Sequence, residues 1–142
     1  MKKFYTVIFF IAIFLLSCAK EETKLETFNP EAFAYDLGDS WEVNAVVNVK
    51  GFEQRKNSEN NNFEASISYS ADIKTPAGKI IKDIYTDKAD FSSKEELLDV
   101  PIEVQFDLDS TYTEGTYRII FNLEDNFSNG TATSSVDFNL EY

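Results

Sequence analysis

The sequence predicts an all-β fold, an antiparallel β-sandwich of about seven strands. Three observations lead to this prediction. Apolar and polar residues alternate with a period of two in five segments, which is typical of strands that bury one face. Turn-forming residues separate these segments, and no apolar pattern of helical period is longer than two turns. The chain has 142 residues, 43% hydrophobic and 15% aromatic, so it can bury the core of one domain.

The chain begins with the pattern of a secretory signal peptide. Lys2 and Lys3 precede an apolar run of 13 residues that ends at Leu16. A membrane-spanning helix needs roughly 20 apolar residues, so this run favours a cleaved signal over the alternative, a membrane anchor helix.

The end of this segment resembles the lipobox of bacterial lipoproteins. Leu15-Leu16-Ser17-Cys18 places a small residue before the only cysteine of the chain. The resemblance implies cleavage before Cys18, a diacylglycerol on its sulfur and an acyl chain on its new amino group. Two or more acyl chains hold a protein stably on a membrane, whereas one does so only marginally. We therefore expect a signal peptide at residues 1–17 and a membrane anchor on Cys18.

The residues after Cys18 indicate to which membrane the lipoprotein would be sorted. Ala19 stands where lipoproteins retained in the inner membrane carry an aspartate, so the resemblance implies the outer membrane. Lys20-Glu21-Glu22 resembles a short signal that sends lipoproteins of some Gram-negative bacteria to the cell exterior; the alternative is a solvated linker. The sequence leaves both the periplasmic face and the cell surface open.

Residues 18–30 are predicted to be the lipidated cysteine with a flexible tether, and residues 31–142 the folded domain. The segment AKEETKLETFNP is polar and charged and ends at Pro30. Fully extended, it reaches roughly 40 Å.

Five segments of the domain have strong strand patterns. In each, apolar or small residues occupy alternate positions; the segments are 41–49, 63–73, 98–108, 117–123 and 132–140. The residues expected to be largely buried are Val47, Ile67, Tyr69, Val104, Phe106, Tyr117, Ile119, Phe121 and Phe138.

The other segments have weaker patterns. Short strands are predicted at 33–37 and 80–85, whereas residues 86–96 are ambiguous because Ser92-x-x-Glu95 fits a helix capping box. Pro101 within an otherwise regular strand indicates an edge strand or a bulge.

Residues 114–125, EGTYRIIFNLED, resemble the penultimate strand of immunoglobulin-like and fibronectin-like domains. In those families such a run leads into an acidic turn and a closing strand, here residues 126–130 and 131–140. The resemblance implies an immunoglobulin-like β-sandwich in which Tyr117 is the corner tyrosine, with its hydroxyl bonded to backbone. Ile119 stands where antibody domains have their second cysteine, so the resemblance is to the wider superfold of bacterial extracellular proteins.

Charge and composition exclude several function classes. The 13 basic and 25 acidic residues give a net charge of −12, which disfavours nucleic acid as a partner. Because the chain has no histidine and one cysteine, it has no Cys/His zinc site, no Ser-His-Asp or Cys-His nucleophile and no internal disulfide. We expect no catalytic residues, metal or cofactor. Two alternatives rest on carboxylates alone: a small hydrolase, and a calcium ion at an acidic turn such as Asp107-x-Asp109.

Asp109-Ser110-Thr111 resembles an acceptor motif for O-glycosylation in some Gram-negative bacteria, so Ser110 is a candidate modification site. The leading hypothesis for function is a non-catalytic module that binds or scaffolds another cell-envelope protein. The alternative is a surface glycan-binding accessory of carbohydrate uptake, which an exposed row of aromatic side chains would favour. The binding face is expected at the loop end opposite the tether or at an edge strand near 80–85.

Overall fold

The structure, a computed structural model, describes residues 24–141 and is all-β. Within this part of the chain there is no helix, and so none that is long and apolar enough to cross a membrane. The eight strands are β1 (Glu26–Asp36), β2 (Ser40–Lys50), β3 (Arg55–Lys56), β4 (Phe63–Lys74), β5 (Ile80–Ser93), β6 (Asp99–Asp109), β7 (Gly115–Asp125) and β8 (Thr131–Leu140).

The strands form two antiparallel sheets. Sheet A has the order β1-β2-β6, and sheet B has the order β5-β4-β7-β8, with the two-residue β3 paired to the start of β4. The seven long strands thus lie three against four, which confirms the predicted immunoglobulin-like β-sandwich. Alternate residues of both sheets face inward and form one core.

The corner tyrosine expected from the resemblance is present. The Tyr117 hydroxyl donates to the backbone carbonyl of Thr113 at 2.8 Å, and its ring stacks on Phe138 with 5.7 Å between centroids. Eight of the nine residues expected in the core are buried. Phe106 is the exception, because it is only partly buried and packs against the edge of the core.

Leu98 was expected to face inward but is 84% exposed. Strand β6 begins one residue later, at Asp99, so Leu98 lies in the preceding loop and does not share the strand's alternation. The expectation that Pro101 lies in an edge strand is confirmed, because β6 pairs with β2 alone.

Strand β1 begins inside the range predicted to be tether. Leu25 is buried, and the pairing of β1 with β2 starts at Glu26. Pro30 lies within a bulge, where the register shifts and Asn29 has a φ of 48°. A side chain at Gly51 would collide with the carbonyl oxygen of Lys24, so this glycine lets the start of the domain pack closely. Residues 24–30 therefore belong to the folded domain, which corrects the predicted boundary.

Strand β5 is longer than predicted and extends to Ser93, which resolves the ambiguity of residues 86–96: the helical turn that Ser92-x-x-Glu95 left open is not formed. A bulge opposite Asp72 interrupts the alternation of β5, and Asp83 within it has a φ of 50°. The bulge hides the strand pattern because Ile81 and Tyr85, which pair with Ile73 and Ala71, are four residues apart, and the exposed Asp83 occupies the alternate position between them.

The antiparallel connections give the sandwich two distinct ends. Leu25, the loop 51–62 and the turn 126–130 lie at the end where β1 starts, called here the N-terminal end. The turns 37–39 and 110–114 lie at the opposite end.

Candidate functional site

The predicted modification sites fall in different parts of the chain. Cys18 lies outside the described residues, and its lipidation stays a prediction. Ser110 is exposed in the turn between β6 and β7, at the end opposite the N-terminal one. The hydroxyl and the backbone N–H of Thr111 both donate to the Asp109 carboxylate and hold its pKa below the usual range. This turn presents Ser110 to solvent, and its glycosylation also stays a prediction.

The most unusual surface is the outer face of β1. Phe33 and Tyr35 occupy alternate positions there and are 46% and 56% exposed, and Leu37, one residue past the end of β1 in the turn 37–39, is 55% exposed. The rings of Phe33 and Tyr35 meet edge to face, with 5.3 Å between centroids. Contiguous exposed apolar residues of this kind mark interaction surfaces, whereas single ones are ordinary. We call these three residues the apolar stripe.

An apolar run in a strand is ordinarily its buried face, but in β1 the buried side is formed by Ala32 and Ala34. The register pairs Ala32 with Ala45 of β2, which faces the core, and Phe33 with Asn44, which faces outward. The sequence predicts a strand here but not which of its faces is buried. The alternating alanines are the sequence feature that could have identified the outward position of the larger side chains.

Polar and acidic side chains surround the apolar stripe. The register of sheet A places them in three rows across β1, β2 and β6: Glu31–Val46–Glu103, Phe33–Asn44–Gln105 and Tyr35–Glu42–Asp107. The Asn44 amide donates to Glu42 at 2.9 Å, which orients both side chains along β2. The outer face of sheet A is therefore an apolar stripe beside a field of carboxylates and amides.

A groove of about 520 Å³ crosses this face. Phe33 forms one side, Asn44 and Gln105 line the middle, and Tyr85 of β5 closes the far side. Tyr85 is held by stacking on Tyr69, with 6.1 Å between ring centroids. The groove thus joins two aromatic side chains across a mixed floor, in which Ala45, Val46 and Val104 lie among the polar residues.

Tyr69 links the two sheets below this groove. Its hydroxyl donates to the backbone carbonyl of Glu103 at 3.3 Å, at the free edge of β6. Burial, and after it the nearby Tyr85, Asp87 and Glu103, raise the pKa of Tyr69 to about 12. Tyr69 therefore stays a neutral donor at physiological pH and has a structural role.

The outer face of sheet B differs in character. A shallow depression of about 740 Å³ there is lined by small hydroxyl and amide side chains, together with Lys88 and the three carboxylates Asp83, Asp87 and Glu124. Ser68 and Ser70 form its centre on β4. With no exposed apolar residue among these and with both charges present, this face lacks the pattern seen on sheet A.

Two buried carboxylates organise the backbone. Asp72 accepts hydrogen bonds from Lys82 Nζ and the Asp83 N–H, both at 2.8 Å, and from Asn122 at 3.3 Å. Burial is the largest influence and raises the pKa of Asp72, but the bonds from Lys82, Asp83 and Asn122 together lower it below the usual value. Asp72 thus fixes the bulge of β5 as an ionised group.

The bulge also affects whether the sheet edge near residues 80–85 can bind a partner strand. Strand β5 pairs with β4 alone, so this edge is free as expected. Its bulge carries the exposed charges of Lys82 and Asp83. Bulges and charges are the usual protection of an edge against an added strand, which disfavours this edge as a binding site.

Asp125 is the second buried carboxylate and ties loops together at the N-terminal end. It accepts from the Glu53 N–H at 2.7 Å, the Phe127 N–H at 2.9 Å and the Ser128 hydroxyl at 2.6 Å. Asp72 lies toward the other end of sheet B, so the two carboxylates do not converge. In residues 24–141 no three His, Cys, Asp or Glu side chains are grouped as metal ligands would be.

No protein-family model and no curated protein matches the chain. Among solved structures, a protein from Archaeoglobus fulgidus is similar with a TM-score of 0.47 and 9% identity over 82% of this chain and 98% of that one. A Northeast Structural Genomics Consortium target has a TM-score of 0.40 and 10% identity over 84% and 87%.

A third similar structure is β-glucosidase 3B from Thermotoga neapolitana in complex with glycerol. Its TM-score is 0.30, with 15% identity over 83% of this chain but only 17% of the glucosidase. These likenesses are too weak to carry a functional argument. What the fold and the surface define is a small β-sandwich whose outstanding feature is the outer face of sheet A.

Proposed function

We propose that the chain is a lipid-anchored, non-catalytic module of the outer membrane that binds another cell-envelope protein through the outer face of sheet A. The observation that carries this proposal is the apolar stripe Phe33, Tyr35 and Leu37. Aromatic residues are enriched in the centres of protein interfaces, and polar residues form the rim. The rows of amides and carboxylates beside the stripe supply such a rim.

The expected anchor is compatible with this surface. Six residues, 19–24, separate Cys18 from the buried Leu25, and they can extend at most roughly 20 Å. Strands of 11 residues make the sandwich about 36 Å long. Leu37 lies at the end away from Leu25, so an anchored domain would present the stripe on its side and toward its far end.

Site-specific photo-crosslinking tests this proposal. The full chain, with benzoylphenylalanine in place of Tyr35, is expressed in its native envelope and irradiated. The control carries the same group in place of Thr133, which is exposed on the outer face of sheet B. We expect a defined protein adduct from position 35 and none from position 133. No adduct at 35, or equal adducts at both positions, would contradict the proposal.

Glycan binding is the second candidate, and the groove between Phe33 and Tyr85 favours it. Aromatic rings stack on sugar faces, and the amides of Asn44 and Gln105 are suited to hydrogen bonds with hydroxyl groups. The rings of Phe33 and Tyr35, however, are inclined at 70° and do not form a flat platform. Strands β2 and β6 lie between Phe33 and Tyr85, and neighbouring strands are about 4.8 Å apart, so a chain of two or more sugar units is the arrangement that this geometry fits.

Two substitutions separate the candidates. A glycan in the groove requires Tyr85, so Tyr85→Ala should weaken retention on immobilised envelope polysaccharide by about tenfold. A protein on the stripe requires Leu37, which lies outside the residues that line the groove, so Leu37→Ser should instead reduce the protein adduct.

A further inference from the structure

Building on the proposed function, we propose that the partner of sheet A presents a basic surface around an apolar centre. Residues 26–50 and 99–109, which form sheet A and its hairpin turn, contain five and four acidic residues. Their only basic residue is Lys50. The negative charge of the domain is thus concentrated around the apolar stripe.

Lys50 does not offset the charge of this face. It pairs with Glu26 at 3.3 Å and lies beside the Phe28 ring, at the N-terminal end of sheet A. In the described part of the chain this is the sole ion pair on sheet A. Glu31, Glu103 and Asp107 are exposed and carry their charge into solvent.

Sheet B shows that the asymmetry belongs to one face. Its strands intersperse basic residues with acidic ones, and three ion pairs neutralise part of the charge: Lys82–Asp72, Lys88–Asp90 and Arg118–Asp137. Interspersed charges serve solubility, whereas a face of one sign around an apolar stripe steers a partner of the opposite sign.

The negative charge of sheet A also distinguishes between the possible binding partners of this face. A second copy of the chain would bring two negative faces together, and an anionic membrane surface would be repelled in the same way. A neutral glycan would gain nothing from the carboxylates at long range. A basic protein surface gains both from burying the stripe and from pairing with the acidic residues around it.

Two variants with equal change in net charge test this inference. The sheet A variant is Glu31→Gln, Glu42→Gln, Glu103→Gln and Asp107→Asn, which preserves shape and hydrogen-bonding atoms. The control variant is Asp83→Asn, Glu95→Gln, Glu96→Gln and Glu124→Gln, at exposed positions away from that face. Each is combined with benzoylphenylalanine at position 35 in the full chain.

We expect the adduct yield to fall about tenfold or more in the sheet A variant and less than twofold in the control, since steering by charge changes association rates by about 10 to 10³. Equal yields in all three proteins would overturn the inference and leave the proposed function intact. An adduct that is absent even without these substitutions would instead contradict the proposed function.

A defined probe provides a second measurement that needs no variant to fold. The unmodified full chain is titrated with a synthetic peptide of three lysines, Leu-Phe-Leu and three lysines, and with its glutamate counterpart. We expect the lysine peptide to bind at least tenfold more tightly in about 0.1 M salt and to lose most of that advantage in about 1 M salt, where the Debye length falls to about 3 Å. Equal binding of the two peptides would contradict the inference.

Discussion

Phe33 and Tyr35 lie two residues apart on β1 and hold their rings edge to face on the outside of sheet A, 5.3 Å apart. Both rings are about half exposed, so the contact between them buries only part of their apolar surface. Burial of apolar surface contributes a stabilising free energy of about 25 cal/mol per Å², and the exposed part of these rings does not gain it. This exposed pair is the surface that the proposed partner would cover.

The anchor is tested by Cys18→Ser. A serine cannot accept the diacylglycerol, so we expect loss of lipidation and either an uncut precursor or a soluble form. Metabolic labelling with palmitate measures this directly. Label that persists in the variant would contradict the lipobox interpretation.

The corner tyrosine is tested by Tyr117→Phe. This change keeps the buried ring on Phe138 and deletes the 2.8 Å hydrogen bond to the Thr113 carbonyl. We expect a loss of about 0.5–1.5 kcal/mol in the free energy of unfolding, measured by urea denaturation. An unchanged free energy would show that the bond does not contribute to stability.

The bulge of β5 is tested by Asp72→Asn. The amide cannot accept from both Lys82 and the Asp83 N–H as the carboxylate does, so we expect a loss of about 1–3 kcal/mol at pH 7.

The same substitution makes a prediction about pH. The pKa of Asp72 is lower in the folded chain than its ordinary value near 3.9, so its stabilising contribution is complete above that value. It is lost as the pH falls through the lower folded pKa. The difference in stability between the unmodified chain and Asp72→Asn should therefore shrink below about pH 4. A difference that grows in acid would contradict this account.

Local patterns were enough to predict the strands that lie in the middle of the sheets. Every second residue is apolar and buried from Trp41 to Val49 in β2 and from Tyr117 to Leu123 in β7, so the alternation along the sequence is the alternation in space. The corner role of Tyr117 was implied by the resemblance of residues 114–125 to immunoglobulin-like domains, and its hydrogen bond involves only the turn just before it.

What the sequence did not reveal depends on contacts between distant residues. The bulge at Asp72 is completed by Asn122, fifty positions along the chain. The inner side of β1 is made of alanines, which give a weak apolar signal, while its outer side has the aromatic residues. The pairing of Phe33 with Asn44 shows directly which side faces water. The candidate site was missed for this reason.

The central claim is that the apolar stripe binds a protein. The most direct test measures how tightly the protein that is crosslinked at position 35 binds the double variant Tyr35→Ser, Leu37→Ser. The matched control is Ile80→Ser, Leu98→Ser, which removes two other exposed apolar residues, 48% and 84% exposed. We expect the stripe variant to bind at least about tenfold more weakly, with its free energy of unfolding unchanged within about 0.5 kcal/mol. The control should bind as the unmodified chain does. Unchanged affinity in the stripe variant, or an equal loss in the control, would contradict the account.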